Sequence, residues 1–306
     1  MPCFDPRTGY RARKVNPSTG KRSIVFNRHE GFTDLEVKIP CGQCIGCRLE
    51  RSRQWAIRCV HEASLYLHNC FITLTYSDEH LPQFGSLDKT HFQLFMKRLR
   101  KRFGSGVRYY QCGEYGERTH RPHYHACLFN FNFPDRVIHP FVRPTGEFPV
   151  YYSQSLAELW PFGHHSIGEV TFESAAYVAR YILKKQTGKG SEIYYEVLDE
   201  DNETVIGCLE REYTTMSRRP GIGKDWYKKW AKDVYPSDFL IINGKKVKPP
   251  KFYDLNFEID NPEEMAKIKV SRKVDGELHA DNNTLERLRV REKCKIAQVK
   301  TLVRKY

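Results

Sequence analysis

The chain has 306 residues, of which 40% are hydrophobic and 13% aromatic, so it can bury a core and is not intrinsically disordered. Its 50 Lys and Arg residues outnumber its 37 Asp and Glu residues, and the net charge of +13 suits a polyanionic partner such as nucleic acid. No apolar run is long enough to span a bilayer and no signal peptide is evident, so we expect a cytoplasmic protein with reduced cysteines and no membrane partner.

The first 40 residues are basic and rich in turn-forming residues. We interpret them as an irregular arm, which either lies along DNA or is simply solvated. A helical pattern follows from Arg48 to about His68 and exposes several arginines.

Between these two segments lie three cysteines, Cys41, Cys44 and Cys47, at Cys-x2-Cys-x2-Cys spacing. A glycine-containing turn with this spacing can fold three thiolates around one ion, as in a structural Zn²⁺ site. Cys3 or Cys59 could provide the fourth ligand. The alternative is that the cysteines only pack the start of the helix.

The middle of the chain alternates between strand and helix patterns. Runs of β-branched and aromatic residues predict strands, whereas apolar residues at i, i+3, i+4 spacing predict helices. The predicted order is a strand at 70–76, a helix at 88–103, strands at 107–115, 122–131 and 164–172, and a helix at 173–185. A segment rich in proline and aromatic residues, 132–158, is interpreted as an insertion.

Two histidines flank one tyrosine on the predicted strand 122–131. Residues two apart on a strand point to the same face, so His123 and His125 project together, and Glu114 lies on the neighbouring strand. Two imidazoles and one carboxylate form a small open site for a divalent ion. Glu117 competes with Glu114 for the third position. The alternative is a pair of half-buried histidines that are satisfied by hydrogen bonds.

Other histidines offer further ligands. His164 and His165 are adjacent on a predicted strand, so at most one of them can face the site. A zinc hydrolase that uses His120 with His123 and His125 is a rival interpretation, although His120 precedes a proline in a turn.

The helix at 173–185 places three functional groups on one face. At about 100° per residue, Tyr177, Tyr181 and Lys184 share a narrow stripe opposite the apolar side of the helix. Two phenols and an ammonium on one stripe, away from the apolar side, are unusual for a face that serves only in packing. The alternative is a tyrosine-rich, half-buried packing face.

The last third of the chain contains weaker signals. Arg218 and Arg219 precede a glycine turn that could bind a phosphate, or that is only a basic loop. Asn243-Gly244 predicts a type I′ hairpin, and residues from Pro262 onward predict one or two basic helices.

In order and spacing, these motifs resemble the HUH endonuclease superfamily. They resemble more closely the rolling-circle replication initiators of gokushovirus-type microviruses, which are small single-stranded DNA phages. The matching segments are CFITLTY (70–76), GEYGERTHRPHYHACLF (113–129), LWPFGHHSIGEVT (159–171) and YVARYILKK (177–185), with PCGQCIGCRLERSRQWAIRC (40–59) and MSRRPGIGKDWY (216–227) outside the core.

The resemblance implies an α+β fold, an antiparallel sheet of about five strands with helices on one face. It implies an N-terminal region at 1–69 with the basic arm, the cysteine segment and a helix. A nicking core at 70–186 and an accessory region at 187–306, with a hairpin and a basic helical tail, would follow.

The resemblance also implies a reaction. The chain would nick and join single-stranded DNA at an origin through a 5′-phosphotyrosine, leaving a 3′-OH for host DNA polymerase to extend in rolling-circle synthesis. The implied partners in the bacterial cytoplasm are the origin DNA, this polymerase and a host helicase. The implied site residues are Glu114, His123 and His125 for Mg²⁺ or Mn²⁺, Tyr177, Tyr181 and Lys184 for catalysis, and Lys185, Arg218 and Arg219 for DNA binding. The rivals are a plasmid initiator, transposase or relaxase of the same superfamily, or a nucleic-acid-binding module without catalysis.

Overall fold

A computed structural model describes residues 3–18, 20–116, 119–140, 149–181, 190–199, 201 and 204–301. These residues form two compact units. One unit comprises residues 3–51 and 269–301, and the other comprises residues 52–268.

The first unit contains a three-stranded antiparallel sheet with the order β2-β1-β3, formed by β1 (Arg7–Val15), β2 (Arg22–Val25) and β3 (Gly31–Ile39). The prediction that residues 1–40 are irregular is therefore wrong. The buried positions of β1 are Gly9, Tyr10 and Ala12, whereas exposed Arg11 lies between them. Because Gly9 and Ala12 are small, the sequence of β1 shows no alternation of large apolar and polar residues, and no strand is predicted from it.

The remaining elements follow in chain order. They are α1 (Ile45–Ala63), β4 (Asn69–Tyr76), α2 (Lys89–Phe103), β5 (Arg108–Tyr115), β6 (Pro122–Phe129), β7 (Val137–Ile138), β8 (Tyr151–Tyr152), α3 (Gln154–Leu159), β9 (Gly163–Gly168), α4 (Phe172–Tyr181), β10 (Glu196–Leu198), β11 (Val205–Cys208), β12 (Tyr213–Met216), α5 (Lys224–Val234), β13 (Leu240–Ile242), β14 (Lys245–Val247), α6 (Lys251–Asp260), α7 (Pro262–Leu278) and α8 (Leu285–Lys300).

The second unit is built on a seven-stranded antiparallel sheet with the order β12-β5-β6-β4-β9-β8-β7. Five of its strands have four to eight residues, and the two-residue strands β7 and β8 come from the predicted insertion. The predicted α+β class with an antiparallel sheet is confirmed. The predicted strand 164–172 is shorter than expected, because β9 ends at Gly168 and α4 already begins at Phe172.

Alternate residues of the central strands pack into two separate hydrophobic cores, one on each face of the sheet. Ile72 and Leu74 of β4 and Tyr124 of β6 pack with residues of α2 and α3. Cys127 and Phe129 of β6 point the other way and pack with residues of α1 and α4. The sheet therefore has helices on both faces rather than on one, and α4 lies on the face that carries the two histidines.

The C-terminal elements agree with the sequence patterns. Asn243 and Gly244 have φ values of 49° and 73°, as a type I′ turn requires, and join β13 to β14. The helices α7 and α8 confirm the predicted helical tail. Within the described parts of the chain, no helix combines the length and the apolar character needed to cross a membrane.

Candidate active site

The centre of the sheet brings three of the predicted site residues side by side. Glu114 on β5 is the register partner of His123 on β6, and His125 lies two residues further along the same strand. On the other side of β6, Thr73 and Thr75 of β4 pair with His125 and His123. All five side chains therefore project from one face of three adjacent strands.

His125 is fixed through both ring nitrogens. Its Nε2 lies 3.0 Å from Glu114 Oε1, and its Nδ1 lies 3.0 Å from Thr73 Oγ1. Both His125 and Glu114 are buried. Sequence reasoning missed Thr73: its alternation with the apolar Ile72 and Leu74 indicates the face of β4 on which it lies, but not which strand lies beside it.

His123 lies above a glycine that leaves space for it. A Cβ placed on Gly116 would come within 3.3 Å of His123 Nε2, which is closer than most real Cβ contacts. The ring centroids of His123 and His125 are 6.2 Å apart. Gly116, which sequence reasoning also missed, thus keeps the region around His123 Nε2 open.

These residues fit a divalent metal ion. A metal-binding histidine commonly donates its second ring nitrogen to a hydrogen bond that fixes its orientation, and Thr73 makes such a contact with His125. Two imidazole nitrogens and a carboxylate oxygen form a hard-to-borderline donor set without thiolates.

Tyr177 approaches this group from α4. Its ring centroid lies 5.1 Å from that of His125 and 6.4 Å from that of Phe71, both in edge-to-face geometry. The helix is held in place next to α1, where Ser52 Oγ donates to the Ala176 carbonyl at 3.0 Å. Tyr177 packs against the same core cluster as Ala175, Val178 and Ala179 of α4, so the packing of this helix on the sheet holds Tyr177 beside His125.

Several of the predicted site residues lie at or beyond the end of a described range. Tyr181 is the last residue of α4, and its side chain is not described. Lys184, Lys185 and the rival carboxylate Glu117 lie outside the described residues. Their predicted roles remain predictions.

The other histidines occupy different places. His164 on β9 pairs with Thr75 and so shares the face of His123, but it lies two strands away, about 10 Å. His165 points to the opposite face, where its Nε2 accepts from Ser153 N at 3.4 Å and burial lowers its pKa to about 4. His120 is exposed in a turn with a φ of 50°, off the strand that bears the other two histidines.

Arg218 and Arg219 are exposed on the loop after β12. Met216, at the end of β12, pairs with Tyr110, so this loop starts about 14 Å along β5 from Glu114.

The loop is anchored to the body of the unit. Arg58 Nε donates to the Ile222 carbonyl at 3.0 Å, and Gly223 N donates to Glu62 Oε2 at 2.7 Å. The arginines therefore stand on a fixed support, at a distance from the histidines.

A second cluster of ligand-type side chains lies in the first unit. The sulfur atoms of Cys3, Cys41, Cys44 and Cys47 all lie within 4.8 Å of one another, and such a cluster could hold a structural metal. Cys59, the other predicted fourth residue, is instead buried in the core of the second unit. All four clustered cysteines are free thiols, each partly exposed.

The thiols of the cluster differ in acidity. Burial acts to raise the pKa of Cys44, but N–H groups of Cys47 and Phe4 that point at its sulfur lower that pKa to about 7. Burial raises the pKa of Cys47 and of Cys3 above the ordinary value. One thiolate of the cluster is thus stabilised by backbone dipoles at neutral pH.

Comparisons with known proteins agree with the motifs. Residues 69–186 match a family model described as replication-associated protein ORF2/G2P. The chain is 34% identical to the replication-associated protein VP4 of Bdellovibrio phage phiMH2K, over 94% of this chain and 88% of that protein. It is 35% identical to the replication-associated protein ORF2 of Spiroplasma virus 4, over 72% of this chain and 68% of that protein.

A third relative, the replication-associated protein ORF4 of Chlamydia phage 1, is 28% identical over 70% of this chain and 52% of that protein. No solved structure matches the chain. The resemblance to phage replication proteins is confirmed by these relatives, two of which are matched over more than two thirds of their length. The chain therefore belongs to the family of phage replication-associated proteins.

Proposed function

We propose that the chain initiates replication by nicking and joining single-stranded DNA at an origin through a tyrosine nucleophile. The observation that best supports this function is the convergence of Glu114, His123, His125 and Tyr177 on one face of the sheet, with Tyr177 5.1 Å from His125 between ring centroids. Membership of a replication-associated family supports the biological role. Residues 70–186 are proposed as the nicking core, and residues 1–69 and 187–306 as appended regions.

Glu114, His123 and His125 would hold Mg²⁺ or Mn²⁺. When bound, such an ion acts as a Lewis acid that offsets charge on the scissile phosphate. The residues themselves orient the site: Thr73 holds the ring of His125, and Gly116 leaves room beside His123. Glu114, His123 and His125, through the ion that they would hold, would position the phosphate beside the phenol of Tyr177.

The proposed reaction is a transesterification. The Tyr177 phenol gives up its proton to solvent, and its oxygen forms a bond to the scissile phosphorus while the bond from phosphorus to O3′ breaks. The departing O3′ takes up a proton and becomes a free 3′-OH, and the 5′-phosphate stays on the tyrosine. The free phenol has a pKa of about 10, so a nearby cation must stabilise the phenolate. Lys184 is proposed for this role.

A second attack is needed to release a circle. Tyr181 follows Tyr177 by one helical turn, which places both residues on the same side of α4. We assign Tyr181 as the second nucleophile, so that one chain stays covalently linked to DNA between the two cuts. Lys185, Arg218 and Arg219 are proposed to bind the DNA backbone. Host polymerase would extend the 3′-OH, with a host helicase as a further partner in the host cytoplasm.

The proposal is tested by cleavage of single-stranded oligonucleotides that tile the replicon encoding this chain. With Mg²⁺ or Mn²⁺, one oligonucleotide should be cut at one position to leave a 3′-OH, and EDTA should prevent the cut. The double variant His123→Ala/His125→Ala should lose cleavage while it keeps its circular dichroism spectrum. His68→Ala, an exposed histidine, is the matched control and should cleave as the wild type does. Undiminished cleavage by the double variant would locate the site elsewhere.

A further inference from the structure

Four cysteines of the first unit form a cluster that the nicking reaction does not use. Cys41 and Cys44 precede α1, Cys47 lies in the first turn of α1, and the fourth, Cys3, is 38 residues distant in sequence from Cys41. We propose that Cys3, Cys41, Cys44 and Cys47 bind one zinc ion in a closed structural site. The proposal is independent of the metal proposed for nicking.

The distances between the sulfur atoms match a single tetrahedral ion. Zinc–sulfur bonds of about 2.3 Å place the corners of a tetrahedron about 3.8 Å apart. The sulfur atoms of Cys3 and Cys44 are 3.9 Å apart, and all four lie within 4.8 Å of one another. Closing onto an ion therefore needs shifts of about 1 Å or less.

Backbone N–H groups already surround the sulfur atoms as they would surround thiolates. Cys41 Sγ accepts from the N–H groups of Gln43 at 3.4 Å and Cys44 at 3.3 Å. Cys3 Sγ accepts from Cys41 N at 3.2 Å. Two more N–H groups point at Cys44 Sγ, one of them from the residue after Cys3. Such donors favour the charged form of sulfur, which is the form that binds a metal.

The turn that aligns these amides depends on Gly42. Its φ of +77° lies in the left-handed region that favours glycine, and it lets the chain fold back over Cys41. The guanidinium of Arg51 lies nearby, since a Cβ on Gly42 would be 3.9 Å from Arg51 Nη2. A zinc ion with four thiolates carries a net negative charge, which this arginine offsets in part.

Other uses of the four cysteines fit less well. An iron–sulfur cage would hold its thiolates around eight core atoms and so further apart than one ion does. A single iron would fit the same tetrahedron, but zinc lies above Fe²⁺ in affinity for such ligands. A Cys3–Cys44 disulfide would leave Cys41 and Cys47 without a role. It would also not explain why the N–H groups converge on the cluster as a whole.

Zinc would join the cysteines that precede and follow the basic sheet β1–β3. Strands β1–β3 lie between Cys3 and Cys41, and residues 4–40 contain eight Lys or Arg residues against four Asp or Glu residues. With so small a core, this sheet needs a further constraint to stay folded. The ion would make residues 4–40 a closed loop whose folding is coupled to metal binding.

Elemental analysis of the full chain, purified under reducing conditions, tests the proposal. We expect one zinc per chain after dialysis against EDTA, and a cobalt-substituted sample should show the absorption of a tetrahedral tetrathiolate site. Cys3→Ser and Cys44→Ser should each lower retained zinc about tenfold or more. The controls are Cys208→Ser, an exposed cysteine outside the cluster, and Cys59→Ala, the rival fourth ligand; both should keep one zinc.

Limited trypsin digestion provides a second readout on the wild type. Stripping the zinc should speed cleavage within residues 7–38 about tenfold and leave the second unit intact. Four free thiols with no metal, a Cys3–Cys44 disulfide, or iron in place of zinc would each overturn the proposal. So would loss of zinc from Cys59→Ala with retention by Cys3→Ser.

Discussion

The arrangement around His125 shows how single residues of the sheet prepare the site. Glu114 and Thr73 come from the two strands that flank β6, and each contacts one nitrogen of the His125 ring at 3.0 Å. Nδ1 of the His125 ring therefore holds the orientation of the ring through Thr73, whereas Nε2 faces the Glu114 carboxylate. His125 itself packs against Tyr177, so the orientation of its ring and that of the proposed nucleophile are linked.

Thr73→Val should weaken metal binding without unfolding the sheet. The change keeps the shape of the side chain but removes the hydroxyl that fixes His125, and loss of such a supporting contact typically costs 10–100-fold in metal affinity, about 1–3 kcal/mol. We expect the Mn²⁺ concentration for half-maximal nicking to rise by about that factor, with recovery at high Mn²⁺. Thr214→Val on the edge strand is the control. An unchanged metal requirement in Thr73→Val would contradict the role.

Gly116→Ala should impair the site by displacing His123, the other histidine. The added Cβ would lie 3.3 Å from His123 Nε2, so the ring must move. We expect nicking to fall about tenfold or more while the thermal unfolding temperature stays within a few degrees. Gly168→Ala, where the new Cβ meets only ordinary contact at 3.8 Å, is the matched control and should cleave normally. Equal cleavage by both variants would show that His123 Nε2 needs no such space.

The sequence was sufficient for the near neighbours in this site and insufficient for the remote ones. Strand alternation and a short turn predicted that Glu114 and His123 lie together, since both facts are local. The contact of His125 with Thr73 depends on which strand pairs with β6, and that pairing joins residues about fifty positions apart. The position of Tyr177 depends on the packing of α4 against the sheet, which no local pattern encodes.

At the level of elements, α1 links the core of the sheet to the C-terminal helices of the second unit. His61 of α1 is buried, its Nδ1 lies 2.9 Å from Tyr253 Oη, and its ring stacks on Trp226 with centroids 3.5 Å apart. Burial lowers the pKa of His61 from 6.5 to about 3. The folded protein thus keeps this imidazole neutral where the unfolded chain would protonate it.

Stability should therefore fall as the pH is lowered. The unfolded chain binds the extra proton first, so the loss begins as the pH drops below about 6.5 and is complete near pH 3. From pH 7.5 to pH 5, we expect His61 to account for about 2 kcal/mol of lost unfolding free energy, measured by urea denaturation.

A neutral replacement isolates this contribution. His61→Asn keeps an acceptor near Tyr253 and should flatten the pH dependence by that amount, even if it lowers stability at pH 7.5. His68→Asn, at an exposed position, should leave the dependence unchanged. Equal slopes in the wild type and His61→Asn would show that His61 is not the responsible group.

The N-terminal sheet shows where sequence patterns fail at the scale of elements. Helix α2 was predicted to its ends, because its apolar stripe and the Asp88 cap, which accepts from Thr90 N, are local signals. Strand β1 was missed, because its buried positions include Gly9 and Ala12 and most of its exposed positions are basic. Its fold depends on pairing with β3, which is about 30 residues away.

For the whole molecule, the net charge of +13 should govern how it holds DNA. Each phosphate contact on a single strand contributes about 0.7 to the slope of log affinity against log salt. Replacing Arg218 and Arg219 together by Ala should therefore lower that slope by about 1.4, as measured by fluorescence anisotropy with a single-stranded oligonucleotide.

A control removes the same charge elsewhere. Lys101 and Arg102 lie on α2, which packs on the face of the sheet away from the histidines, and Arg102 pairs with Glu158 at 2.5 Å. Replacing these two residues by Ala should change the slope much less. If both double variants show the same slope, the loop after β12 has no special part in DNA binding.

Tyrosines of α4 are proposed to attack DNA beside the Glu114, His123 and His125 group. Mass spectrometry of the adduct trapped with a cleaved oligonucleotide tests this proposal most directly. We predict a 5′-phosphate linked to Tyr177 in some molecules and to Tyr181 in others. Tyr177→Phe and Tyr181→Phe should each retain single-turnover nicking, the double variant should have none, and Tyr194→Phe should behave as the wild type. A linkage to neither tyrosine, or a cleaved strand with no protein attached, would show that these tyrosines are not the nucleophiles.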